Sequence, residues 1–108
     1  MSKDALRVIF IEDDAPLRDA VVQGLELEGL SVDPHETAAS ALRALSDRFD
    51  GVVVSDIRLP GMDGFELFDE IRALDPELPV IFTTGHGDVP MAVKVMKKGA
   101  ADFLTKPY

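Results

Sequence analysis

The chain has 108 residues and a formal net charge of -9, with 46% hydrophobic and 29% charged residues, the size and composition of one globular domain. It contains no cysteine, which excludes disulfides, zinc–thiolate sites and thiol redox chemistry, and its acid excess argues against gripping DNA or an anionic membrane by itself. No apolar run approaches the ~20 residues of a membrane span, and Met1-Ser2-Lys3-Asp4 lacks a secretory apolar stretch, so a cytoplasmic location is expected.

The first strand is expected from Arg7 to Ile11, an apolar run that ends in Glu12-Asp13-Asp14. A helix follows, capped near Asp14 or Ala15, with Pro16 in its first turn, where a missing N–H costs little. Its inward stripe reads Leu17, Ala20, Val21, Gly24 and Leu25, and Gly29 ends it. Leu30 to Pro34 reads as a weaker, half-exposed strand. Thr37 then caps a second helix whose stripe is Ala38, Ala41, Leu42 and Leu45. Gly51 opens a central strand, and Val52-Val53-Val54 mark it as the most buried before it ends at Ser55-Asp56. Leu59-Pro60-Gly61-Met62-Asp63-Gly64 is turn chemistry that launches a third helix from Phe65 to about Leu74.

Pro76 and Pro79 bracket the connection into a fourth strand, Val80-Ile81-Phe82-Thr83, followed by Thr84-Gly85. After the loop Gly85-His86-Gly87, Asp88 caps a fourth helix that carries Pro90 early and stops at Gly99. On this helix Val89, Ala92, Val93 and Met96 form the stripe expected to face inward. Met91 and Val95 fall on another stripe, near Lys94, Lys97 and Lys98, and are expected to be exposed and to meet a partner or second protomer. Ala101 to Thr105 is the fifth strand. Lys106-Pro107 follows it, with a cis bond expected in a tight turn.

Short apolar runs alternating with helices are the signature of an α/β domain built on parallel strands. Such a sheet wants helices on both faces, so residues 1–108 are expected to form one domain cut before a fifth helix.

In parallel sheets functional groups gather at the carboxyl ends of the strands. One edge is therefore expected to carry Glu12, Asp13, Asp56, Thr84 and Lys106. A single acid suffices to cap a helix, whereas acids ~4 Å apart repel by about 4 kcal/mol per pair at an effective dielectric near 20. A hard cation relieves this, and magnesium takes one or two carboxylates together with waters and phosphate oxygens. Asp56 emerges at the centre of the edge as a nucleophile towards phosphorus. Lys106 offers an ammonium to Asp56 and to a phosphoryl oxygen, Thr84 a hydroxyl donor, and Gly85 close approach to the backbone. His35 and His86 have no ligand spacing and are read as neither metal site.

The stretches Glu12-Asp13-Asp14, Ser55-Asp56-Ile57-Arg58-Leu59-Pro60-Gly61-Met62-Asp63-Gly64, Thr84-Gly85 and Lys106-Pro107 together resemble the receiver domain of two-component response regulators. The resemblance implies a doubly wound, five-stranded parallel sheet in the order 2-1-3-4-5. It implies that Asp56 is a phosphoacceptor served by a sensor histidine kinase. It also implies Asp13, Asp56, Glu12 and the Arg58 carbonyl as the magnesium set, Lys106 as phosphate-binding lysine, and Thr84 and Phe103 as switch residues. The family more often has Asp where this chain has Glu12, and Phe103 lacks the hydroxyl that a tyrosine would bring.

Thr84-Gly85-His86-Gly87-Asp88-Val89-Pro90-Met91-Ala92-Val93, with Ser55-Asp56-Ile57-Arg58, is similar to regulators of C4-dicarboxylate transport in the sigma-54 activator class. Nitrogen-fixation regulators with a helix-turn-helix output share the longer stretch. Either resemblance implies an ATPase or DNA-binding output beyond Tyr108 and dimerisation on activation. Arg58 and His86 flank the site, where their bulk is expected to hinder an attacking water and lengthen the phosphate lifetime.

Three other functions compete. A haloacid-dehalogenase-type phosphatase wants a second acid two residues after its nucleophile, where this chain has Arg58. A mononucleotide-binding module wants a glycine-rich loop after the first strand, where this chain has acids. A phosphorylation-independent interaction module is distinguished by whether a small phosphodonor modifies Asp56.

Overall fold

Strand β1 (Arg7–Ile11) alternates, so Ile9 and Ile11 enter one face of the sheet while Val8 and Phe10 enter the other. The computed structural model describes residues 6–45, 49–85 and 88–105. After β1 come α1 (Ala15–Leu27), β2 (Ser31–His35), α2 (Ala38–Ala44) and β3 (Val52–Asp56). A short ribbon, β4 (Arg58–Leu59) and β5 (Met62–Asp63), precedes α3 (Gly64–Leu74), β6 (Val80–Thr84), α4 (Val89–Lys98) and β7 (Asp102–Thr105).

The five long strands form one parallel sheet in the order β2-β1-β3-β6-β7. With the ribbon strands left uncounted this is the expected 2-1-3-4-5, a doubly wound α/β fold. The antiparallel ribbon was not anticipated; it overlaps the stretch Leu59 to Gly64 read as turn, and Gly61 at φ 82° makes its reversal. Strand β2 occupies an edge, which is where the Pro34 it contains is tolerated. Among the described residues no helix is long and apolar enough to cross a membrane.

The main core lies between the sheet and helices α2, α3 and α4. It joins Ile9, Ile11, Val53, Val80 and Phe82 to Ala38, Ala41, Leu67, Phe68, Ile71, Ala92 and Val95. Gly64 opens α3 against this core: a Cβ there would lie 2.7 Å from Ile57 Cγ1. The first residue of α3 can therefore sit directly on the residue that follows Asp56.

The opposite face is more open than the sequence suggests. On α1 only Leu17, Val21 and Leu25 of the inward stripe are half-buried, while Ala20 and Gly24 are exposed. Val53 is fully buried, but Val52 and Val54 alternate onto the open face with Ile81 and are only half-buried. Leu104, on the same face, is 46% exposed. The reason is geometric: α1 packs over β1 and β2, leaving β3, β6 and β7 uncovered on that side among the described residues.

The expected rotation of α4 is also corrected. Val95 is 1% exposed and buried beside Ala92, and Met91 packs against the core with Met96. Val89 and Val93, expected inward, are 37% and 42% exposed. Apolar residues cover most of this short helix outside its lysines, so periodicity alone cannot choose its rotation. Packing on α3 and on β6 and β7 does, with Lys98 Nζ 3.1 Å from Asp69 Oδ1. Met91 and Val95 are therefore not an exposed output face; Val89 and Val93 are the outward apolar pair.

Candidate functional site

The strand ends bring the acids together. Glu12 and Asp13 follow β1, and Asp56 closes β3, the neighbouring strand. One carboxylate oxygen from each of Glu12, Asp13 and Asp56 lies within 4.8 Å of the others. Three oxygen donors at that spacing, one buried, one half-buried and one exposed, fit a hard divalent cation that keeps part of its water shell. Magnesium matches this donor set, with the exposed side left for waters or phosphate oxygens.

The three consecutive acids divide their work. Asp14 is the helix cap, its Oδ1 accepting from Leu17 N–H at 3.2 Å. Asp13 points into the cluster. Glu12 is buried, and its Oε2 accepts from Asp14 N–H at 3.2 Å. Its N–H donates to the His35 carbonyl at 3.0 Å, and its own carbonyl accepts from Arg18 Nη1 at 2.7 Å. Both capping and the acid cluster are thus satisfied, by different residues of the run.

Asp56 sits where the buried central strand ends. Its Oδ1 accepts from Arg58 N–H at 3.1 Å, and Ser55 Oγ donates to its carbonyl at 2.8 Å. The β4–β5 ribbon then turns the chain back into α3, which Asp63 caps by accepting from Glu66 N–H at 3.0 Å. Arg58 belongs to this ribbon, two residues after Asp56.

On the other flank, Thr84 ends β6 and is fully buried, with Oγ1 donating to the Gly85 carbonyl at 3.1 Å. Phe103 is half-buried against the core and pairs with Phe82, while Thr105 pairs with Thr84. By alternation Thr84 and Phe103 project from the same sheet face, on adjacent strands. Lys106, its bond to Pro107, and His86 lie outside the described residues; β7, which precedes Lys106, ends at the same edge as Thr84.

Two contacts at the site have no signature in the sequence. Arg18 holds the Glu12 carbonyl from α1, and Asp88 binds the Arg58 side chain from the start of α4. The Arg58 guanidinium is held above its usual value, first by Asp88 and then by the charges of Asp56 and Asp63.

The family model described as response regulator receiver domain matches residues 8–108. The chain belongs to the response regulator receiver domain family. The receiver is 54% identical over 101 residues to the C4-dicarboxylate transport transcriptional regulatory protein DctD of Rhizobium meliloti strain 1021, covering 94% of this chain and 22% of that protein. It is 46% identical over 105 residues to the transcriptional regulatory protein FixJ of Azorhizobium caulinodans, covering 97% of this chain and 50% of FixJ. Among solved structures, full-length FixJ from B. japonicum matches the receiver with a TM-score of 0.90 at 42% identity, over 100% of this chain and 52% of that one. The receiver thus spans about a fifth to a half of the relatives it matches.

Proposed function

We propose that this receiver is a phosphorylation switch, in which Asp56 takes a phosphoryl group from a sensor histidine kinase. The single observation that carries the reading is the convergence of Glu12, Asp13 and Asp56 oxygens within 4.8 Å at the carboxyl edge of the sheet. In the transfer, an Asp56 carboxylate oxygen bonds to phosphorus as the N–P bond of the partner's phosphohistidine breaks, and the imidazole leaves with the bonding pair. A magnesium ion held by Asp13, Asp56, the Arg58 carbonyl and, through water, Glu12 would neutralise charge on the transferring group.

The chain's own residues divide the remaining tasks. Lys106 pairs with Asp56 before transfer and with a phosphoryl oxygen after it, and Gly85 admits the group close to the backbone. Thr84 turns its hydroxyl from the Gly85 carbonyl to the phosphoryl oxygen, vacating space into which Phe103 moves. That local charge event alters the face formed by α4 and β7. Exposed Val89 and Val93 are the apolar part of this face and the surface on which two activated receivers pair. Arg58 and His86 shield the acyl phosphate from water. The receiver promotes its own phosphorylation and dephosphorylation and has no separate substrate.

The similarity to DctD supports an output that activates sigma-54-dependent transcription of C4-dicarboxylate transport. The similarity to FixJ keeps a helix-turn-helix output as the second reading. Incubation with acetyl phosphate, with and without magnesium, tests the switch. Magnesium-dependent addition of one phosphoryl mass to the wild type, absent from Asp56→Asn, is the expected outcome. Equal labelling of the two proteins would overturn it.

A further inference from the structure

Three of the described helices begin alike. Asp14, Thr37 and Asp63 are extended, and each side chain accepts from the N–H three residues on, at Leu17, Ser40 and Glu66. Helix α4 breaks the pattern. Asp88 stands at its cap position with φ -110° and ψ 6°, and its carboxylate makes no cap bond. Instead it accepts from Arg58 Nε, 30 residues earlier in the chain.

Arg58 is two residues beyond Asp56, and its backbone N–H donates to Asp56 Oδ1 at 3.1 Å. One residue thus touches the phosphoacceptor carboxylate through its backbone and the start of α4 through its side chain. Asp88 is anchored in turn just past the switch hydroxyl, its N–H donating to the Gly85 carbonyl at 3.1 Å.

We propose that Asp88 and a phosphoryl group on Asp56 compete for the Arg58 guanidinium, so that phosphorylation releases Asp88 to cap α4. The inference rests on the phosphoacceptor reading of Asp56 and adds a second route from the site to α4. A guanidinium is always charged and its fork matches phosphate oxygens better than a single carboxylate contact. A phosphoryl group on a side chain carries up to about twice the charge of a carboxylate. The Arg58 side chain is 67% exposed and that of Asp88 13%, so the pair is solvent-screened from the Arg58 side. The charge of Asp56 already acts on this guanidinium, after that of Asp88. Once released, Asp88 occupies the position from which the other caps reach the third residue of their helices; here that donor is Met91 N–H. The first turn of α4 is then reset without any movement of Thr84 or Phe103.

Amide hydrogen exchange at Met91 is the test, on the 108-residue chain with and without beryllium fluoride and magnesium. Met91 exchange is expected to slow roughly fivefold in the wild type when the phosphoryl mimic binds, as a side-chain cap forms. Arg58→Ala should show the slowed rate without the mimic and little further change with it. Arg58→Lys should keep part of the response, and Asp88→Ala should show slowing in neither state. Unchanged Met91 exchange in Arg58→Ala, or in a wild type whose intact mass with acetyl phosphate proves Asp56 modified, overturns the competition alone. Failure of Asp56 to be modified overturns the phosphoacceptor reading and the competition with it.

Discussion

Arg18 of α1 donates through Nη1 to the carbonyl of Glu12 at 2.7 Å, so the first helix holds the backbone that presents two of the three clustered acids. A partner that orients a ligand in this way typically accounts for roughly 10- to 100-fold in metal affinity. Arg18→Ala is therefore expected to weaken magnesium binding by about tenfold, while Arg18→Lys restores part of it. Magnesium titrations followed by amide shifts of Asp13 and Asp56 measure this. Unaltered affinity in Arg18→Ala would show that the contact only fastens the helix.

Magnesium should also stabilise the receiver by relieving repulsion among Glu12, Asp13 and Asp56. A ligand at about ten times its Kd stabilises the state it binds by about 1.4 kcal/mol. For a domain of this size that raises Tm by roughly 6–11 °C, the conversion being about 4–8 °C per kcal/mol. Asp56→Asn removes one charged ligand, so its melting point should start higher than that of the wild type without metal and rise less when metal is added. Equal shifts in the two proteins would place the bound ion elsewhere.

The rotation of α4 separates two valines that sequence spacing had placed the other way round. Val95→Ala empties space in the core and should cost about 2 kcal/mol. Val93→Lys is on the surface and should leave stability within about 0.5 kcal/mol. It is expected to weaken association of the phosphorylated receiver in sedimentation equilibrium, with phosphorylation itself unchanged. A dimerisation curve that overlays the wild type would remove Val93 from the contact.

Gly64 packs where no side chain fits. A Cβ there would meet Ile57 Cγ1 at 2.7 Å, the Ile57 carbonyl at 3.1 Å and Phe82 at 3.3 Å. Gly64→Ala should cost about 1–3 kcal/mol by overpacking and displace the chain just after Asp56. Denaturant midpoints report the first effect. A slower reaction with acetyl phosphate, relative to the exposed helical control Gly24→Ala, reports the second. An unperturbed Gly64→Ala would mean that the start of α3 yields without loss.

Much of the fold was legible because it rests on local rules. Alternating apolar runs and helical stripes located the long strands, and Asp14 and Thr37 cap their helices as expected, whereas Asp88, also expected to cap, makes no side-chain cap bond. The clustering of Glu12, Asp13 and Asp56 followed from a general property of parallel sheets, that strand ends share an edge.

The chain's order of residues was enough to place Asp56 beside two other acids, since hydrophobic period and strand direction dictate which side chains reach the carboxyl edge. It could not say that Met91 and Val95 turn inward, because a helix apolar on most of its circumference has several acceptable rotations and only neighbouring elements select one. Nor could it pair Arg58 with Asp88 or Arg18 with the Glu12 carbonyl. Those contacts join separate elements, and they exist only once packing has set the distances between them.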